Sequence, residues 1–220
     1  MITRTTTFRL AAIVSAAVSA ATLFTAAPAT AEPAACSDVE VIFARGTSEP
    51  PGIGRVGQAM VDALIPQLGG RTVSTYGVVY PASYDFLAAA DGANDAAARI
   101  ESLSATCPDT RIVLGGYSQG AAAVDMLAGI PPLGNKIGDI GSAPPLPAAY
   151  DSSIAAVAVF GNPSTKFSIP ITSSVFAGRA IDLCTDGDPI CSRGRNPFAH
   201  SDYVGAGMPV QAATYVAGLV

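Results

Sequence analysis

The sequence predicts an α/β fold: a three-layer sandwich in which a mostly parallel sheet of about five strands carries helices on both faces. Three observations predict it. Short apolar runs rich in β-branched residues alternate with longer segments of helical periodicity. Proline- and glycine-rich stretches at residues 49–54, 130–134 and 141–147 fall between them, with no composition shift that would mark a second domain. One apolar run turns sharply into a helix between two glycines, at Gly116-Tyr-Ser-Gln-Gly120.

Each element has its own signal. Residues 39–44 are a short apolar run, the first strand. Residues 55–68 place Val56, Met60, Ala63 and Leu64 at helical spacing. Residues 73–80 are β-branched and aromatic, a second strand. Residues 87–104 are alanine-rich and helical, with Asp91, Asp95 and Arg99 marking a wet face and Gly92 a local weakness. Ile112, Val113 and Leu114 suit a strand covered on both faces, and residues 121–128 a helix with small residues toward the sheet. Residues 154–160 and 177–183 are further strands, and residues 211–219 a closing helix. Ligands in such sheets bind at the carboxyl ends of strands, and Ser118 lies just past one.

Residues 1–31 read as an export signal. Arg4 and Arg9 supply the positive charge, residues 10–24 are apolar and alanine-rich, and Ala29-Thr-Ala31 fits the small-residue cleavage rule. That apolar stretch is short for an anchor, and no later run could span a bilayer, so no stable membrane insertion is expected. Residues 32–220 are then expected to form one secreted, monomeric domain. The net charge of −5 becomes more negative once both arginines leave with the signal, which argues against a nucleic-acid partner. With 13% charged and 50% hydrophobic residues, the chain is far from disorder.

Cys36, Cys107, Cys184 and Cys191 are an even set in an exported chain, which suggests two disulfides with three possible pairings. Local economy favours Cys184 with Cys191 and leaves Cys36 with Cys107. Loop entropy assigns these about 2.5 and about 4.4 kcal/mol. The spacing is not that of a metal site, and the single histidine belongs to no cluster, so no metal is expected.

Ser118 is the candidate nucleophile. Its turn is strained, and glycines two residues away on either side let strand and helix pass closely. Its hydroxyl stands above a helix N-terminus, where backbone N–H groups stabilise an anion. A glycine-x-serine-x-glycine pattern arises by chance roughly once in five chains this rich in glycine, so the strand–turn–helix context carries the reading. His200, the single imidazole, is the matching base and lies downstream. The acid that orients it should lie between them: Asp125, Asp139, Asp151, Asp182, Asp186 or Asp188. Asp125 falls on the helix after Ser118, where a solvated face is expected. Asp182 sits inside an apolar strand. Asp186 and Asp188 share a loop that a Cys184–Cys191 bridge would staple. Position prefers Asp188 only slightly, since Asp186 beside Gly187 is also a natural turn residue. Oxyanion donors are expected from the Gln119 N–H and from the loop Arg45-Gly-Thr-Ser48, where Gly46 admits the backbone and Thr47 adds its hydroxyl.

These residues together resemble the cutinase family of serine esterases, which have an α/β-hydrolase-type fold. Residues 108–120 are similar to that family's active-serine signature. Cys184-x-x-x-Asp188-x-Ile190-Cys191 resembles the signature that carries its acid, and Val41-Ile-Phe-Ala-Arg-Gly-Thr47 its oxyanion strand and loop. The resemblance covers most of residues 36–204. It implies Ser118, Asp188 and His200 as the triad, Thr47 and Gln119 as the oxyanion hole, and the pairs Cys36–Cys107 and Cys184–Cys191. It implies no cofactor. The loop Ser192-Arg-Gly-Arg-Asn-Pro-Phe-Ala199 departs from the fungal pattern by placing Arg193 and Arg195 at apolar positions, which leans toward bacterial members. Tyr80, Pro81, Ile190 and Phe198 are candidates for an apolar substrate rim. The expected function is a secreted carboxylic-ester hydrolase for aliphatic, lipid-like or polyester substrates of short-to-medium acyl chain. An acetylxylan-type esterase and a non-catalytic secreted or cell-surface binding protein are the alternatives. The intact set of Ser118, Asp188 and His200 argues against the latter.

Overall fold

Five strands, every neighbouring pair parallel, form one sheet in the order β2-β1-β3-β4-β5. They are β1 (Val39–Ala44), β2 (Val73–Gly77), β3 (Arg111–Tyr117), β4 (Ile154–Phe160) and β5 (Ala180–Leu183). The helices are α1 (Gly54–Leu64), α2 (Ala89–Thr106), α3 (Gln119–Leu127) and α4 (Met208–Ala217). The computed structural model describes Ile2, residues 36–131, Leu133 and residues 139–220. The expected export signal of residues 1–31 lies, but for Ile2, outside them. Ala35–Val220 form one packed unit.

Side chains alternate across each strand, so both faces of the sheet must be covered. Ile42, Leu114, Val157 and Val159 face α2 and α3, which meet them with Ala93, Ala96, Ile100, Leu103, Ala121 and Val124. Val41, Phe43, Val113 and Phe160 face α1 and α4, which contribute Val56, Met60, Leu64, Ala212, Ala213 and Val216. The expected three-layer sandwich is the one observed. Among the described residues, no helix is long and apolar enough to cross a membrane.

Boundaries differ from the sequence reading for physical reasons. The first helix was expected over residues 55–68 but ends at Leu64, where Pro66 cannot donate a helical hydrogen bond and the chain tightens into a 3-10 turn at Ile65–Gln67. The final helix starts earlier than expected because Pro209 sits in its first turn, where a missing N–H costs nothing. The expected wet face of α2 is in part a clasp. Arg99 forms a two-pronged ion pair with the buried Glu40 of β1, both contacts at 2.6 Å. Asp95 accepts from the Val79 N–H at 2.8 Å and from the Tyr76 hydroxyl.

The strand order reverses between β1 and β3, whose carboxyl ends pair Ala44 with Gly116. Open parallel sheets gather ligands at such a reversal. The loops after β1, β3, β4 and β5 all open at this end of the sheet. Disulfides join Cys36 to Cys107 and Cys184 to Cys191, as expected.

Candidate active site

Ser118 leaves β3 and caps α3 with φ 56° and ψ −115°. This left-handed conformation is strained for a residue with a Cβ, and it lifts the hydroxyl clear of the sheet. The neighbouring glycines make it possible. A Cβ at Gly120 would stand 2.0 Å from the Ala44 carbonyl oxygen, and one at Gly116 2.4 Å from the Gly120 carbonyl oxygen.

The Ser118 Oγ lies 2.8 Å from His200 Nε2, and His200 Nδ1 lies 2.7 Å from Asp188 Oδ2. An ionised Asp188 only accepts, so the imidazole proton belongs on Nδ1 and Nε2 is left to accept from the Ser118 hydroxyl. His200 sits in the 3-10 turn Ala199–Ser201. Its ring stacks on Tyr117 at 5.2 Å between centroids, and its carbonyl oxygen accepts from the Tyr117 hydroxyl. Gly161, with φ +60°, makes room for it: a Cβ there would stand 3.0 Å from His200 Cε1.

Asp188 is fully buried in the loop after β5. Burial pushes its carboxyl up, but hydrogen bonds from His200, the Tyr203 hydroxyl and the Ile190 N–H outweigh it and hold the group below the usual carboxylate range. The Tyr203 hydroxyl donates to Oδ2 at 2.6 Å and the Ile190 N–H to Oδ1 at 2.7 Å. Asp186 is exposed and two residues away from this contact. Asp139 accepts from the Gly141 N–H, and Asp151 lies in the 3-10 turn Ala148–Ser153. Asp125 does not lie on a solvated face as expected. It is 3% exposed and held by Asn162 and Ser164, the buried polar partners that make burial tolerable. Asp182 likewise accepts from Asn162 and Thr165.

The loop after β1 carries Thr47, whose hydroxyl donates to Gln119 Oε1 at 3.2 Å. Gly46 lets this loop lie on Tyr117, because a Cβ would meet the Tyr117 ring at 2.5 Å. The buried Arg45 guanidinium ties the loop to its surroundings through the carbonyl oxygens of Glu49 at 2.9 Å, Val78 at 3.2 Å and Tyr80 at 2.6 Å. Thr47 and Gln119 thus meet beside Ser118 from two different strands.

Ser118, His200, Thr47 and Gln119 line a cleft of about 430 Å³ whose apolar walls include Tyr84, Phe86, Ile140, Pro163 and Ile190. Of the expected rim, Ile190 lines it. Tyr80 does not: it is buried beneath the Arg45 loop, its hydroxyl donating to the Arg45 carbonyl oxygen. Pro81 is exposed outside the cleft, its carbonyl oxygen turned toward Arg45. Phe198 is 82% exposed and borders a separate, shallower hollow with Asp186 and Asp202. Asn196 accepts from the Phe198 N–H and turns that segment outward. Arg193 and Arg195 are exposed and do not line the cleft either, so they do not make its rim polar. Tyr84 and Phe86 belong to the stretch 80–86, which the sequence offers as the alternative apolar wall if the loop before His200 does not form it. Sequence reasoning missed Tyr117 and Tyr203, which nothing local distinguishes.

The cutinase family profile matches residues 35–220. The chain is similar to Phospholipase Culp4 of Mycobacterium tuberculosis, with 50% identity over 216 residues that span 96% of this chain and 92% of that protein. It is also similar to the probable carboxylesterase Culp3 of the same organism, with 51% identity over 185 residues, 82% of this chain and 68% of the other. Among solved structures it resembles the Trichoderma reesei cutinase in complex with a phosphonate inhibitor, with a TM-score of 0.65 and 35% identity over 84% of this chain and 77% of that one. The matched span runs through all five strands and takes in the whole cleft floor; the chain belongs to the cutinase family and is a serine ester hydrolase.

Proposed function

We propose that the chain is a secreted carboxylic-ester hydrolase in which Ser118 is the nucleophile, His200 the base and Asp188 the group that orients it. One observation carries the reading: a hydroxyl, an imidazole and a buried carboxylate follow one another at 2.8 and 2.7 Å on the floor of an apolar cleft. His200 Nε2 takes the Ser118 proton as Oγ attacks the ester carbonyl carbon. The resulting oxyanion meets the Gln119 N–H and the Thr47 side of the loop after β1. Collapse expels the alcohol, which takes the proton back from Nε2, and leaves an acyl group on Ser118. Water, activated by the same nitrogen, then releases the acid. Asp188 stays ionised and pairs with the imidazolium in each half-reaction.

The apolar walls support aliphatic, lipid-like esters, and the small cleft supports short-to-medium acyl chains. The printed name of Phospholipase Culp4 supports the lipid-like class. Two disulfides support passage of residues 32–220, as a single domain, into an oxidising compartment.

Ser118→Ala should lower hydrolysis of p-nitrophenyl butyrate by about 10⁴-fold or more. An alkyl phosphonate should label the wild type once, on Ser118. Labelling of another residue, or full activity in the variant, would overturn the assignment.

A further inference from the structure

We propose that Asp125 is a positioning residue for this reaction, acting through Asn162 and Ser164 on the segment 161–166, which seats His200 and forms one wall of the cleft. It rests on the reading of His200 as the base.

Asp125 lies within α3, the helix that Ser118 caps. Its Oδ1 accepts from Asn162 Nδ2 at 3.0 Å, and its Oδ2 accepts from the Ser164 hydroxyl. The same Asn162 amide donates to Asp182 Oδ2 on β5 at 3.0 Å. Asp182 Oδ2 also accepts from the Thr165 hydroxyl at 2.8 Å and the Ile171 N–H at 3.1 Å. Asn162 Oδ1 accepts from the Ser164 N–H at 3.0 Å and closes the turn. One fully buried asparagine, two residues past the end of β4, is therefore held from the nucleophile's helix on one side and from β5 on the other.

The held segment reaches the site at three points. Gly161 is packed against the His200 ring, with only 3.0 Å between a would-be Cβ and Cε1. Pro163 and Lys166 line the cleft. Lys166 Nζ donates to the Pro189 carbonyl oxygen at 2.7 Å, in the loop that carries Asp188. Asp125 touches none of the reacting groups, and every one of these contacts depends on the turn it anchors.

Among the described residues, neither Asp125 nor Asp182 has a cation within ion-pair distance. A buried carboxyl in that setting costs stability that an apolar side chain would avoid, but an apolar side chain would leave Asn162 and Ser164 unsatisfied. Burial raises the Asp125 carboxyl to about 8, and the Asp182 charge adds to this against the hydrogen bonds from Ser164 and Asn162. These are the groups that face it: Asp182 from β5, and the neutral Asn162 and Ser164 from the turn. As pH rises through that value Asp125 acquires a charge, which strengthens the hydrogen bonds from Asn162 and Ser164 but sets two carboxylates against each other across the one Asn162 amide, so the turn is strained between α3 and β5.

His200 is the chain's single histidine, so its imidazole Hε1 signal in proton NMR is unambiguous and needs no substrate. In the wild type this signal should move in an alkaline step near the Asp125 titration, and kcat should fall about tenfold across the same step while the protein stays folded. Asp125→Asn supplies a neutral group of the same shape. It should rescue kcat at pH 7 and abolish the alkaline step in both readouts. Asp125→Ala should lower kcat at pH 7 by about tenfold. If the alanine variant does not fold, the asparagine variant decides. An Hε1 step that is absent from the wild type, or that persists in Asp125→Asn, overturns the proposal. An inactive wild type would instead sink the reaction assigned to Ser118 and leave the NMR result standing.

Discussion

Tyr203 and His200 share one oxygen of Asp188. The Tyr203 hydroxyl donates to Oδ2 at 2.6 Å, and His200 Nδ1 lies 2.7 Å from the same atom. Tyr203 is fully buried, its ring packed edge-on against Tyr117 and Phe160. Burial raises its phenol well above the ordinary range, and the Asp188 hydrogen bond adds to this, so it remains a donor at any working pH.

Tyr203→Phe keeps the ring and removes the donor. A hydrogen bond to a charged group contributes about 1.5–3 kcal/mol, and the variant should lose about that much stability at pH 7. Asp188 is held below its unfolded value, so its contribution is present above that value and fades as pH falls through the folded one. The gap between variant and wild type should therefore shrink below about pH 4. Thermal melts from pH 3 to 7 would show it, and a gap independent of pH would refute the link to Asp188. The kcat should fall about tenfold as the imidazole loses its fixed acceptor.

Much of this was legible before any coordinates. Each of the five strands coincides with an apolar or β-branched run, although β3 extends past Leu114 through two glycines to Tyr117, and Ser118 and His200 stand where the glycines and the single imidazole place them. Position could not separate Asp186 from Asp188. The difference is made by the turn in which the Ile190 N–H caps Asp188 and points it inward, and only the family resemblance singles out Asp188, the one that meets His200. Asp125 was misread because helical periodicity assumes one wet face, whereas every residue of α3 is buried. A lone aspartate among alanines, valine, methionine and leucine was the available sign that a buried partner had to exist. Ile190 lines the cleft but Phe198 does not, because exposure in an irregular loop follows turn chemistry, as Asn196 shows at Phe198, rather than apolar content.

The two disulfides should separate stability from chemistry. The Cys36–Cys107 bridge closes a separation of 71 residues and the Cys184–Cys191 bridge one of 7. Replacing the first pair with serine should cost about 4.4 kcal/mol of stability but leave kcat near wild type where the protein is folded. Replacing the second should cost about 2.5 kcal/mol and lower kcat, because it loosens the loop that holds Asp188. Equal kcat in both variants would mean that the short bridge does not position Asp188.

Gly120→Ala tests the close passage of α3 over β1. The added Cβ would stand 2.0 Å from the Ala44 carbonyl oxygen, a backbone atom that cannot swing aside. The helix and strand must then separate, and Gln119 with Thr47 separates with them. A loss of about 3 kcal/mol or more is expected, which for a domain of this size lowers Tm by about 6–12 °C. Circular dichroism melts check it, and a wild-type Tm would show that the passage is wider than the geometry states.

Acyl-chain preference should follow Phe86 and Ile190, which line the cleft and are 40% and 38% exposed. Each methylene buried against them contributes about 0.8 kcal/mol, or about fourfold in kcat/KM. A series of p-nitrophenyl esters should therefore climb by up to that factor per methylene while the chain remains in the cleft of about 430 Å³. Beyond it, the added carbons stay in water and the slope should flatten. Replacing both residues with serine should flatten the slope from the shortest esters onward. Replacing Arg193 and Arg195 with leucine should leave the profile unchanged, since both lie outside the cleft. A profile that responds to the arginines and ignores Phe86 and Ile190 would place the acyl group on the opposite side of Ser118.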